Sequence, residues 1–258
     1  MTGPFADTDR GPRTPSPGSF FWDAAGRPRS AAFDDQYFCK EFGYEEAQYV
    51  VCRGNKLRER FLALDPAAKG VFTFIETGFG TGLDFCCVWQ LWDECAPSSW
   101  SLHFISVELY PLSSSEIARA LSLWPCLSPH KEALAATYQP VPGAVGDLSL
   151  VPQRVRLTII FDDVISALAL IRDAALAPKG ADAWSLDGFA PSKNPQMWTD
   201  GVFAGMAALS RPGTTLATFT VAGFVRRGLA AHGFEVERIL GHGKKKNVLT
   251  GYYRKDVK

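Results

Sequence analysis

The sequence predicts an α/β protein in which a mostly parallel sheet is flanked by helices, closed by a C-terminal antiparallel hairpin and preceded by an accessory segment. Three observations carry this expectation. From Gly70 onward short apolar runs alternate with amphipathic stretches, the pattern of successive strand-helix-strand units. A glycine-rich turn, Glu76-Thr-Gly-Phe-Gly-Thr-Gly82, separates the first such run from the first helical stretch. The chain of 258 residues, 47% of them hydrophobic, is long enough for one large domain with its own core.

Taken in order, residues 1–18 are rich in Pro, Gly, Thr and Asp and offer little to bury, so they are expected to be a disordered tail before a single domain over 19–258. Within that domain 19–66 is the accessory segment, with aromatic residues around a Gly-Arg-Pro turn and helical character over 43–64, and 67–258 is the core. Strands are expected at 71–78, 102–109, 156–163, 181–188 and 214–220. Helices are expected at 83–95, at 113–124 with Ser113 or Ser114 as N-cap, from Ile165 through Ala174, at 197–210, and at 224–233, the last ended by Gly233. The stretch 125–152 holds five prolines and reads as irregular apart from a short helix near 130–137. FEVERIL and VLTGYYR make the closing hairpin.

Lys plus Arg and Asp plus Glu are 27 each, so net charge by itself selects no partner. The distribution is uneven: from Arg211 to Lys258 ten basic residues stand against three acidic ones, leaving the first 210 residues acidic by the same margin. The cysteines at 39, 52, 86, 87, 95 and 126 form no C-x-x-C pair and no cluster with histidine at zinc-ligand spacing, so neither a metal nor a disulfide framework is expected. No signal-peptide core or membrane-length apolar run is present, and the reading is cytoplasmic with no membrane partner.

Five stretches carry the chemistry. Ligands bind open α/β sheets beyond the carboxyl ends of the strands, and Glu76, Gly78, Phe79, Gly80, Thr81 and Gly82 are placed there, where glycines let a ligand approach the backbone. The spacing E-x-G-x-G-x-G is neither a nicotinamide fingerprint nor a P-loop, and Glu76 would attract a cationic ligand and repel a pyrophosphate. Glu108, ending the next strand, suits the two hydroxyls of a ribose, although an acid at a strand end is often solvated surface. Of Asp162 and Asp163, one suits the exocyclic amine of an adenine, and the other is either left in solvent or caps the helix that begins near Val164. Asp187 opens the loop Asp187-Gly-Phe-Ala-Pro-Ser-Lys-Asn-Pro-Gln-Met-Trp198, whose prolines and aromatic residues suggest a rigid pocket wall for a base, with Asp187 facing the reacting group. Arg226, Arg227, Lys244, Lys245 and Lys246 form a basic run that is either a solvated face or a surface for phosphates.

Together these stretches resemble the methyltransferase domain of the MnmC family, over most of the chain from Trp22 to Tyr252. The most specific matches are FDDQYF (33–38), GNKLRERF (54–61), ETGFGTGLDF (76–85), FISVELYPLS (104–113), DAWSLDGFAPSKNPQMW (182–198) and RPGTTLATFTVAGFVRRGL (211–229). The resemblance implies a Rossmann-like methyltransferase fold, S-adenosyl-L-methionine as cofactor, and tRNA as partner through its anticodon stem-loop. The implied reaction methylates the 5-aminomethyl group of wobble uridine to give 5-methylaminomethyl(-2-thio)uridine, with Asp187 catalytic. It adds Asn55 to the cofactor residues and Phe189, Pro191, Lys193, Met197 and Trp198 to those facing the substrate; by simple physics Asn55 is equally a helix N-cap. The adenine contact is assigned to Asp163. Two positions depart from the family: Asp84 stands where asparagine is usual, and Asp162 where glycine is usual. No second glycine motif follows, so the expectation is a methyltransferase without the flavin oxidase domain of many relatives, its aminomethyl substrate supplied by another enzyme. The alternatives are a methyltransferase of the same fold acting on another amine and a catalytically silent RNA-binding subunit.

Overall fold

The computed structural model describes residues 20–24, 26–243 and 246–254; the expected 1–18 tail, Lys244 and Lys245 lie outside them. The accessory segment begins with a small antiparallel sheet, β1 (Phe20–Trp22), β2 (Pro28–Ser30) and β3 (Asp35–Gln36). It continues through α1 (Gly43–Ala47), a π-helical turn (Gln48–Arg53) and α2 (Leu57–Leu62).

The core alternates β4 (Gly70–Glu76), α3 (Leu83–Cys95), β5 (Trp100–Val107), α4 (Ser114–Leu121), α5 (Ser128–Thr137), β6 (Val145–Val151), β7 (Val155–Ile160), α6 (Val164–Asp173), β8 (Ala181–Leu186), α7 (Asp200–Ala208), β9 (Ser210–Thr218), α8 (Gly223–Ala231), β10 (Phe234–Leu240) and β11 (Asn247–Tyr253). These strands form one sheet in the order β10-β11-β9-β8-β4-β5-β7-β6. The five inner strands β9, β8, β4, β5 and β7 run parallel, and antiparallel pairing occurs only at the two margins.

Parallel strands are buried on both faces because their crossover helices cover both. Phe72 and Phe74 of β4 therefore join a core with Phe85, Trp92 and Phe104, under α2 to α5, while the neighbouring Ile75 joins the opposite core with Ile105, Trp184 and Phe203, under α6 to α8. From β4 the chain steps outward through β5 to β7, then returns to lay β8 on the other side of β4. The strand order reverses there, and the divergence of the connections opens a crevice at the carboxyl ends of β4 and β8.

Helix α3 has the bounds read from the sequence. Ser113 is the N-cap of α4 in a reciprocal capping box: Ser113 Oγ accepts from Glu116 N–H (3.3 Å) and Glu116 Oε2 accepts from Ser113 N–H (2.7 Å). Ser113→Ala is expected to cost about 1 kcal/mol of stability, measurable by urea unfolding.

The three short strands of the accessory segment and one strand of the core sheet were not foreseen. β6 lies within the proline-rich stretch expected to be irregular, paired antiparallel with β7 at the sheet edge. Its Leu148 and Leu150 turn toward the core, while Asp147 turns outward to the Arg156 guanidinium at 2.7 Å. An edge strand needs one partner and one apolar face, and alternation across only seven residues between prolines is a weak signal. The helix expected at 197–210 starts later, at Asp200, after a short 3-10 turn over Pro195–Trp198. Among the described residues no helix is long and apolar enough to cross a membrane.

Candidate functional site

The glycine turn occupies the crevice where the strand order reverses. After β4, Thr77 N–H donates to Ser185 O (3.1 Å) and Phe79 N–H to Val107 O (2.9 Å), so the turn is tied to both neighbouring strands. Gly82 has φ of +74° and is the N-cap position of α3, a conformation a side chain would strain. Gly78 is glycine for another reason: a Cβ there would lie 3.0 Å from the Asp187 carbonyl oxygen. The turn and the loop after β8 meet backbone to backbone, and Thr77 Oγ1 donates to the same carbonyl at 2.7 Å.

Glu108, one residue beyond β5, reaches over this turn. Its Oε2 accepts from Gly80 N–H and its Oε1 from Tyr110 N–H, both at 2.8 Å. A carboxylate oxygen has two lone-pair directions, so each keeps acceptor capacity for a ligand hydroxyl. Burial pushes the Glu108 carboxyl up, against these backbone bonds that pull it down.

The paired acids after β7 divide their work differently from the expectation. Asp163 is the N-cap of α6, accepting from Ile165 N–H (2.9 Å), Ser166 N–H (3.1 Å) and Ser166 Oγ (2.6 Å). Burial alone would raise its carboxyl, but these bonds outweigh it and hold it below the usual value. Asp163 thus takes the capping role, while Asp162 is exposed on the cavity rim.

The Asp187 loop is clamped by the accessory segment. Asp35 Oδ2 accepts from Ala190 N–H (3.1 Å), and Lys193 forms an ion pair with Asp34 (2.9 Å). Phe33 stacks on Phe189 with ring centroids 4.7 Å apart, and Tyr37 meets the same ring edge-on at 5.1 Å. Trp198 is buried and its Nε1 donates to Phe189 O (3.2 Å), closing the loop on itself. The loop is thus held to the accessory segment by stacking, a backbone hydrogen bond and the Lys193–Asp34 ion pair.

Two adjoining cavities result, of about 660 and 370 Å3, sharing Gly78, Glu108, Gly188 and Phe189 as walls. The larger gathers Glu76, Phe79, Thr81, Asp187 and Pro191, with the exposed Lys246 on its rim; the smaller takes in Asp162, Asp163 and Met197. Arg226 and Arg227 line neither cavity and lie exposed on α8, which follows the cavity-lining Thr218–Val221 stretch. Lys244 and Lys245 lie outside the described residues.

Asn55 is a correction. It is fully buried away from both cavities, and its Nδ2 donates to Val51 O (3.0 Å) and Trp184 O (3.1 Å). It is not a helix N-cap either, since Lys56 holds that position for α2. Its task is to tie the accessory segment to β8.

The fold brings two buried acids into the larger cavity that were not among the expected site residues: Glu46 of α1, which sequence reading missed, and Asp84 of α3, which it noted only as a departure whose charge favours a cationic cofactor. Burial pushes the carboxyl of Glu76 well up, and Asp84 adds to it; burial does the same to Asp84, with Asp187 adding. Glu76 Oε2 accepts from Ser106 Oγ at 2.7 Å, while Asp84 Oδ2 accepts from Ser185 Oγ at 3.4 Å. The departure from asparagine at 84 was the available signal; that α3 turns this side chain to the strand ends was not legible. A crevice lined by acids, with glycines at its neck, favours a ligand that carries positive charge.

Residues 127–254 match the family model of an S-adenosyl-L-methionine-dependent methyltransferase. The tRNA 5-methylaminomethyl-2-thiouridine biosynthesis bifunctional protein MnmC of Methylobacillus flagellatus is 47% identical over 228 residues, covering 88% of this chain and 34% of that protein. The protein of the same description from Chromobacterium violaceum is 48% identical over 227 residues, covering 88% and 33%. The chain thus spans about a third of the length of the curated relatives it matches. The crystal structure of MNMC2 from Aquifex aeolicus superposes with a TM-score of 0.66 at 18% identity, covering 92% of this chain and 70% of that one, and shows the same fold. Sheet, switch-point turn and strand-end acids define a methyltransferase-type α/β protein. The chain belongs to the S-adenosyl-L-methionine-dependent methyltransferases, and within them to the MnmC family.

The residues present fit that cofactor. Its ammonium and sulfonium are cationic, matching Glu76 and its acidic neighbours, and its ribose matches the acceptor capacity left on Glu108. Gly78, a wall of both cavities, has no side chain, which lets the Asp187 loop close against the turn.

Proposed function

We propose that this chain transfers a methyl group from S-adenosylmethionine to the amine of a 5-aminomethyl group on the wobble uridine of tRNA, giving 5-methylaminomethyl(-2-thio)uridine. The observation that carries this reading is the larger cavity, where the strand-end acids Glu76 and Glu108 face the clamped Asp187 loop. Identity of 47% with a protein named for this tRNA modification supports it. Another enzyme supplies the aminomethyl group, and the setting is the cytoplasm.

The cofactor supplies an electrophilic sulfonium methyl. Glu76 binds its ammonium, Glu108 its ribose and Asp162 its adenine. Asp187 orients the acceptor amine and takes its proton, the work of a general base within hydrogen-bond reach. An alkylamine is mostly protonated at neutral pH, so removal of that proton is required before it attacks. Phe189, held between Phe33 and Tyr37, gives the uracil a fixed aromatic surface and helps exclude water. Positioning of this kind supplies roughly 7–11 kcal/mol in well-oriented systems, so no covalent enzyme intermediate is needed.

Arg226, Arg227 and Lys246, with the Lys244-Lys245 pair, take the phosphates of the anticodon stem-loop. Replacing Arg226, Arg227 and Lys246 together by alanine is expected to flatten the salt dependence of tRNA binding by about two units of log-log slope. Methylation of a free 5-aminomethyluridine nucleoside by this variant should change little. Filter binding across a salt series, beside nucleoside turnover, checks both.

The direct test offers labelled S-adenosylmethionine with tRNA carrying 5-aminomethyluridine and with the same tRNA lacking it. Label on the modified tRNA alone is the expected result. Cofactor binding without transfer moves the assignment to another amine acceptor, and absence of cofactor binding would favour a silent RNA-binding subunit.

A further inference from the structure

Helix α8 is amphipathic, and its core face is complete without its phenylalanine. Val225 and Leu229, four residues apart, are fully buried and join the core with Trp184 and Phe203. Gly228 lets the Phe203 ring lie directly against the helix backbone, where a side chain would collide with it. Phe224 turns the other way and is 46% exposed, on the face that carries the exposed Arg227 three residues on. A single exposed apolar side chain is ordinary on a protein surface, so exposure alone assigns nothing. Position does: Phe224 stands three residues beyond Val221, the last of the Thr218–Val221 stretch that lines the larger cavity.

The neighbours of the ring say what it suits. The outer face of α8 exposes Gly223, Phe224, Arg226, Arg227 and Ala230, with two arginines and no acid on the helix. A Cβ at Gly223 would lie 3.2 Å from Arg227 Nη1, so the guanidinium rests along the turn that carries Phe224. An aromatic surface set among cations, without a wider apolar patch, matches a single-stranded nucleic acid: a base stacks on the ring while the phosphates meet the arginines. The chemistry of the cavity adds a reason. A base drawn out of its stack to reach Asp187 leaves one face of its neighbour uncovered, at a cost in stacking energy. A ring at the cavity lip restores that lost contact.

We propose that Phe224 is a substrate-binding residue: its ring takes the place of the wobble uridine against the flanking base of the anticodon loop when that uridine enters the larger cavity, and Arg227 holds the adjoining phosphate. This rests on the tRNA reading above and deepens it, because phosphate contacts hold any RNA, whereas Phe224 favours a loop whose wobble base has left the stack.

The test uses an RNA hairpin with the sequence of an anticodon stem-loop and 5-aminomethyluridine at the wobble position, beside two hairpins that carry an abasic nucleotide on its 5′ or its 3′ side. Phe224→Ala is expected to weaken binding of the intact hairpin by about 5- to 150-fold, the loss that removal of one base-stacking ring brings. The dependence of binding on salt keeps its slope, because no phosphate contact is removed. Phe224→Trp, which keeps a ring, retains the affinity. One of the two abasic hairpins should bind the wild type as weakly as the intact hairpin binds Phe224→Ala, and that hairpin should lose nothing further with the variant. Undiminished affinity of Phe224→Ala for the intact hairpin overturns the inference, as do losses that add in full on both abasic hairpins. A wild-type dimer in sedimentation that Phe224→Ala turns into a monomer also overturns it, assigning the ring to a second copy of the chain. Wild-type protein that methylates the intact hairpin while any of these results holds leaves the tRNA reading standing; failure of the wild type to methylate it overturns both.

Discussion

Asp187→Ala is expected to lower methyl transfer by about 10²- to 10⁴-fold, the usual contribution of a general base, while cofactor affinity stays within about tenfold. The separation follows from position. Asp187 is half-buried on the acceptor loop; its Oδ1 accepts from Gly188 N–H at 2.7 Å, and its main chain rests against Gly78. Loss of its side chain leaves the turn, Glu76 and Glu108 in place. Single-turnover methylation of modified tRNA, beside equilibrium binding of cofactor, separates the two quantities. Equal losses in both would make Asp187 a cofactor ligand and remove it from the chemistry.

Glu76→Gln is expected to have the opposite signature, weakening cofactor binding by about 30- to 1,000-fold, as truncation of one partner of a buried charge pair does. The substitution keeps shape and removes only the charge meant for a cation. Its effect on the protein alone should have the other sign. Burial raises the folded-state value of Glu76 above that of the unfolded chain, so its contribution to stability is full at acid pH and is lost as pH rises through the folded value. Stability of the wild type should therefore fall on going from the ordinary carboxylate range toward neutrality, and the glutamine variant should lose less. Thermal melts across that range, together with cofactor titration, test both signs. A variant that binds cofactor normally would exclude Glu76 as the ammonium ligand.

Much of this architecture is local and therefore readable. Helix α3 was bounded correctly because a glycine turn precedes it and its apolar residues are continuous; α4 was placed correctly at its start, where Ser113 caps it, but ends at Leu121, short of the expected 124. β6 was missed because an edge strand shows half the pairing and half the apolar surface of a central one. Asp162 and Asp163 were recognised as a pair, but which one caps depends on a backbone bend at a single residue. Asn55 drew a ligand role from resemblance, and only its burial against Val51 and Trp184 shows that it joins two layers.

The sequence by itself determined the α/β class, the order of the core elements other than β6, the position of the glycine turn and the acids at its neighbouring strand ends. Those are properties of short stretches, set by hydrophobic period, backbone conformation and the chemistry of adjacent residues. Only the tertiary structure decided that Phe33, Asp34 and Asp35 clamp the Asp187 loop, that Lys193 is engaged in holding it, and that Asp84 shares a cavity with Glu76. Each is a meeting of side chains far apart along the chain. Such a contact depends on where the sheet reverses its strand order and how closely the helices pack over it, neither of which is a property of any local segment.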